Sequence, residues 1–282
     1  MFQKTPNYIK YIYKNTIYLF LFILLFRVVF FYFSIDLSEA NTPEIRKAIL
    51  LGIRFDLKLA IIATFPLHLL ILIVNYHFFK KKVYKIINSV YLTLTYIIIT
   101  LFYLTDFGYY EYLAMRLDAS SLRFLSNLKI STQVLVESYP VYKGFIGMVI
   151  LGIIIFKLSN LSYKLQKETF VIHSKKRKAV YFIATFLLLS FGIYNSITHY
   201  PLRWSEAFFS KDNKVNQFGL NPVLYFFDSF AFRSEGVNKK AFENLALAGG
   251  FDSSRNTHRA ISNIVFIKHR RVTQAKASIT RS

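Results

Sequence analysis

Five apolar blocks of about twenty residues each constrain this chain more than any motif: Thr16–Ser34, Leu57–Phe79, Val83–Thr105, Val141–Leu158 and Ala179–Thr198. A helix rises about 1.5 Å per residue, so each block can cross about 30 Å of hydrocarbon. Inside lipid the backbone must satisfy its own hydrogen bonds, which a helix does within one segment. The expected fold is therefore all-α: a polytopic membrane protein with five transmembrane helices in residues 1–198. A hydrophobic content of 54% and an aromatic content of 18% exclude an ordinary soluble domain.

The net charge of +21 raises the question of nucleic acid, and the placement of the charge answers it. Lys and Arg flank the apolar blocks in short clusters, where they meet anionic headgroups and set topology, so the expected partners are membrane lipids and not nucleic acid. Alternate loops divide fourteen against six. Lys4, Lys10 and Lys14, Lys80–Lys85 and the run 157–178 lie on one side, and Arg46, Lys47, Arg54, Arg116, Arg123 and Lys129 on the other. By the positive-inside rule the N-terminus is expected in the cytoplasm and the segment after the fifth block outside. The first block ends in bulky aromatics, not small residues, and reads as an uncleaved anchor. With no cysteine, there is neither a disulfide framework nor a thiolate metal site.

Arg27 and His68 lie well inside their blocks, away from the ends. Arg27 either snorkels to the headgroups or pairs with an acidic group or a lipid phosphate. His68, two residues after Pro66, reads as a neutral imidazole bonded to a neighbouring helix, with proton relay or metal binding as the functional alternatives; no His or carboxylate follows at i+3 or i+4 to make a ligand pair. The connection Ile35–Phe55 is read as a polar loop. Residues 106–140, with Leu113, Leu117, Leu122 and Leu125, are read as short surface helices or a lid, and Asp118 there has no partner near in sequence to make it catalytic. Gly144, Gly147 and Gly152 suit close helix contact in the fourth crossing.

Residues 199–240 form a linker outside the membrane. Tyr200, Arg203 and Trp204 suit the headgroup layer, and Asn221 followed by Pro222 reads as the N-cap and N1 of an interfacial helix with Leu220, Val223, Leu224, Phe227 and Phe230 on its apolar face. Here three stretches, GIRFDLKLA at 52–60, YPLRWSEAFFS at 200–210 and NQFGLNPVLYFFDSF at 216–230, make the chain resemble the lipoteichoic-acid-synthase-like proteins of the bacterial sulfatase family, over about residues 10 to 240. These are plasma-membrane phosphoglycerol or phosphoethanolamine transferases of cell-envelope synthesis. The resemblance implies an extracytoplasmic catalytic domain that holds Mn²⁺ or Mg²⁺ through carboxylates and His and attacks a lipid phosphodiester with a Thr. Arg54, Asp56, Arg203 and Trp204 become candidate headgroup contacts, and Arg27 and His68 a candidate intramembrane polar site.

The chain departs from that pattern after about residue 240. Residues 241–282 hold Asp252, His258 and His269 at spacings that make no metal cage, beside seven basic residues and few apolar ones. No catalytic residue, metal ligand or cofactor is assigned to this chain. The tail is expected to be disordered, and the chain to be a truncated anchor domain, inactive alone. The competing readings are a small transporter or channel, and a partner subunit of a separately encoded catalytic domain.

Overall fold

The computed structural model describes residues 6–33, 35–36, 40–127, 132–133, 136–137, 139–165, 174–196 and 199–235. The chain divides into two compact units, Met1–Phe230 and Ala231–Ser282, and of the second only a helix end, 231–235, is described. The tail from residue 241, with Asp252, His258 and His269, lies outside the described residues.

Among the described residues seven helices can be bounded, in chain order α1 (Asn7–Phe33), α2 (Thr42–Val74), α3 (Lys82–Leu113), α4 (Val141–Lys164), α5 (Lys175–Tyr194), α6 (Asn213–Gly219) and α7 (Pro222–Glu235). Short 3-10 turns occupy Asn75–Phe79, Ala119–Asn127 and Trp204–Ala207, and no strand occurs among the described residues. Helices α1 to α5 are each long and apolar enough to cross a membrane. The fold is all-α with five candidate spans, compatible with a multi-pass membrane protein.

Helices overrun the apolar blocks that foretold them, and two of these extensions, on α2 and α3, build the site. Residues 42–55, read as part of a loop, are the first four turns of α2. Their polar residues disguise an apolar stripe, since Ala48, Leu51, Gly52, Phe55 and Leu59 recur at helical spacing and are buried. Glu44 in the first turn suits the helix dipole, and the Asn41 carbonyl accepts from the Glu44 and Ile45 amides. Likewise α3 continues past Thr105 to Leu113, where Ala114 turns left-handed (φ 52°) and its amide donates to the Tyr110 carbonyl at 2.7 Å.

The helix lengths locate a plane. From Asn7 to Arg27 on α1, from Asp56 to Val74 on α2 and from Lys82 to Tyr103 on α3 the rise is in each case about 30 Å, one hydrocarbon thickness. The fifth span closes at Asn195, which is bonded to Arg54 and so ends at the same level. One end of the bundle is lined by the basic residues that flank α1, α2 and α3. At the other, about one hydrocarbon thickness away, lies a boundary layer of ionisable and amide side chains. Beyond that layer the overrunning ends of α1, α2 and α3 are covered by the 204–207 turn and α6, around Phe30, Ala48, Tyr110, Val215 and Phe218 and around Leu51, Phe55, Leu202, Ala207 and Leu220.

Helix α4 packs on α3 and α5 on α2. Gly152 receives Ile97, and a Cβ there would stand 3.1 Å from its Cδ1; Gly192 likewise sits against Ile61. Gly144 and Gly147 meet no neighbour among the described residues, so of the three glycines in α4 only Gly152 makes a close contact. Most of the remaining surface of both helices is exposed Leu, Ile, Val and Phe, as lipid contact requires.

Candidate functional site

The boundary layer is built on Arg27. Its guanidinium forks onto the Asp56 carboxylate, with Nε at 2.5 Å from Oδ2 and Nη2 at 2.8 Å from Oδ1. Nη1 donates to the Phe218 carbonyl at 2.5 Å, and Nη2 also reaches the carbonyls of Gly52 at 3.1 Å and Leu220 at 3.3 Å. Asp56 is wholly buried and Arg27 nearly so. A buried charge is tolerable only when paired and fully hydrogen-bonded, and the planar fork of Arg supplies that geometry where Lys could not. Gly52 is required for the fit, since a Cβ there would overlap the guanidinium.

Asn221 completes the arrangement from the juxtamembrane segment. Its Nδ2 donates to Asp56 Oδ1 at 2.8 Å and lies 2.9 Å from the Tyr103 hydroxyl, while its Oδ1 accepts from the Val223 and Leu224 amides and so caps α7. One side chain thereby starts a helix and binds that start to α2 and α3. The expected cap at Asn221–Pro222 is present. Leu220, Val223 and Leu224 face inward, whereas Phe227 and Phe230 are exposed.

A second buried ion pair stands above the first. Arg116 Nη1 and Asp106 Oδ2 approach to 2.9 Å, yet neither atom finds an aligned hydrogen-bond partner, so the contact is ionic rather than a directed bond. The guanidinium lies over the Phe30 ring at 3.9 Å. Asp106 Oδ1 accepts from the Leu117 amide at 2.8 Å, and the Arg116 amide donates to Gln217 Oε1 at 2.9 Å. Burial pulls Arg116 below its usual basicity, and the Asp106 charge opposes that shift.

The remaining candidate residues separate. Arg54 donates to the Asn195 carbonyl and its own carbonyl accepts from Asn195 Nδ2 at 2.6 Å, a reciprocal contact between α2 and the end of α5. Arg203 is exposed beside Tyr200, 5.2 Å from the ring centroid, and lines one groove with Arg54. Trp204 points the other way, into the core against Phe208 and Tyr225. Asp56 belongs to the Arg27 clasp, and its i, i+2 offset from Arg54 puts the two on different helix faces. His68 lies deep in the bundle, wholly buried, with neither ring nitrogen partnered among the described residues. Asp118 is held by Ser120 and Tyr109. Among the described residues no three His, Asp or Glu side chains gather in a way that could hold a metal.

Sequence reasoning did not single out Gly52, Tyr103, Asp106, Arg116 or Gln217 as members of one site. A usable signal was present: Arg27 and Asp56, of opposite charge, lie at the same depth counted from the basic end of the bundle. No family model matches the chain, and no curated protein or solved structure does.

Proposed function

We propose that this chain provides the membrane-anchor domain of a sulfatase-like lipid-headgroup transferase of the bacterial cell envelope. In this reading it sits in the plasma membrane with the basic end of the bundle in the cytoplasm. The supporting observation is convergence. The three stretches that carry the resemblance, 52–60, 200–210 and 216–230, are far apart in sequence yet contribute to one hydrogen-bonded layer, through Gly52, Asp56 and Lys58, through Leu202, and through Phe218, Leu220 and Asn221. Residues shared with a family for the sake of anchoring should meet where the anchor hands the chain over to water. The charge asymmetry of the loops supports the orientation. The divalent metal that the resemblance implies finds no ligand set among the described residues, and no chemical step is assigned to them.

Two measurements test the reading. The chain has no cysteine, so single Cys substitutions give clean topology probes. In intact cells a membrane-impermeant maleimide is expected to label Asn213→Cys and to spare Lys80→Cys; the reverse pattern overturns the orientation. The coding DNA beyond the codon for Asn221, translated in all forward frames, is expected to encode a metal-binding Glu, a Thr nucleophile and an Asp-His pair. Their absence from every frame and from the adjoining genes would overturn the transferase assignment.

A further inference from the structure

An open groove of about 830 Å³ lies where α5 ends, and its lining includes Arg54, Phe191, Asn195, Arg203, Ser205 and Glu206. We infer that this groove binds the phosphodiester headgroup of an anionic phospholipid, with the acyl chains lying along α5. The inference does not depend on the transferase reading, because it requires only that the five helices cross a membrane.

Three observations carry it. The first is position. Arg54 and Asn195 belong to the boundary layer, about 30 Å from the basic ends of the helices, where the phosphates of one leaflet reside. The second is chemistry. Two guanidiniums, 149 residues apart in sequence, line the groove together with an amide and serine hydroxyls, a donor set suited to a phosphate oxygen. One carboxylate also lines the groove, that of Glu206, whose Oε1 accepts from the backbone amide of Arg203 at 3.4 Å, and the two guanidiniums outnumber it. Arg54 is held in place by Asn195, so little freedom is lost when a ligand binds. The third is the apolar track below. Ile183, Leu187, Leu188 and Phe191 fall on one face of α5, all more than half exposed, and Phe191 joins that face to the groove. A soluble phosphate ester would leave the track unused, whereas a phospholipid fills both parts.

The test is native mass spectrometry of the detergent-purified chain with added phosphatidylglycerol, diacylglycerol or glycerol 3-phosphate. One phosphatidylglycerol is expected per chain. Diacylglycerol and glycerol 3-phosphate should bind about tenfold more weakly or worse. Arg203→Gln is expected to lower phosphatidylglycerol occupancy about tenfold, and Arg203→Lys to keep most of it. Ser205→Asp, at an exposed position, places a negative charge in the groove and should match Arg203→Gln; it stands in should that variant fail to fold. Equal retention of phosphatidylglycerol by the wild type and both variants would overturn the site. Diacylglycerol bound as well as phosphatidylglycerol would also overturn it, by removing the headgroup from recognition. Glycerol 3-phosphate bound as tightly as the lipid would overturn the lipid as occupant.

Discussion

Two of the buried polar clusters in the bundle, the Arg27 clasp and the layer around His68, are built to opposite standards. In the outer one, Arg27, Asp56, Tyr103 and Asn221 satisfy one another and the carbonyls of residues 52, 218 and 220. The inner one is about 18 Å toward the basic end, since Asn15 and His68 each lie twelve residues along their helices from Arg27 and Asp56. There Tyr11 donates to Asn88 at 2.9 Å, but both ring nitrogens of His68 and the amide nitrogens of Asn15 and Asn88 lack a sound partner among the described residues. A satisfied buried network fixes a unique arrangement, whereas an unsatisfied one carries a penalty with no matching gain. The outer layer therefore specifies the fold, and the inner layer lowers its stability.

Substitutions can break this contrast. The largest effect is expected from Asp56→Ala, which leaves Arg27 buried with carbonyls alone and should destabilise the protein by about 3–5 kcal/mol in detergent unfolding. Trp204 is the sole tryptophan and packs in the juxtamembrane core, so its emission should shift to the red as the segment releases. Replacing both partners, with Arg27→Met and Asp56→Leu, is expected to restore much of the loss. Restoration in stability without return of the Trp204 signal would identify the 218–221 carbonyls as the element that needs Arg27.

Next comes Gly52→Ala. The Arg27 guanidinium is held by five hydrogen bonds and cannot yield freely, so the added methyl should cost about 1–3 kcal/mol and move Trp204 in the same direction as Asp56→Ala. Wild-type stability in this variant would show that the fork tolerates displacement and is not the tight fit described. At the inner layer the sign reverses. His68→Leu removes two unpartnered buried nitrogens and is expected to raise stability by about 1–2 kcal/mol. A loss instead would show that the imidazole has a partner, and the two layers would then be alike.

The smallest effect concerns pH. Asp228 on α7 is half-buried, and burial raises its carboxyl above the usual 3.8 while Lys58 opposes the shift. A raised pKa favours the fold while the group is protonated, and that contribution fades as pH rises through the folded-state value. Asp228→Asn keeps the neutral form at every pH. Its melting temperature should therefore gain on wild type between pH 4 and pH 7, by less than any change above; a constant difference would mean that Asp228 is not held by burial.

The five spans were legible because length and apolarity are local properties, read residue by residue. The α2 and α3 extensions were not, because their polar residues sit on a helix whose buried stripe is filled by Ala48, Leu51, Gly52 and Phe55, and composition averages the two faces together. The helix cap at Asn221 could be read from two adjacent letters. Its bonds to Asp56 and Tyr103 could not, since they depend on which helices are neighbours. For Arg27 the sequence left two environments open, and the structure gives the one with an acidic partner.

Arg27 also imposes an order of assembly. Its carboxylate partner follows 29 residues later in the chain, whereas the Phe218 carbonyl follows 191 residues later. At ribosomal speeds that interval is roughly eight to thirty seconds, long compared with helix formation. The nascent chain must therefore bring Arg27 into the bilayer on the strength of Asp56 and the Gly52 carbonyl, with its other two acceptors, the carbonyls of Phe218 and Leu220, still to come. Closure by residues 218–221 then completes the Arg27 layer, and the interval before it is when quality-control proteases can tell a closed layer from an open one.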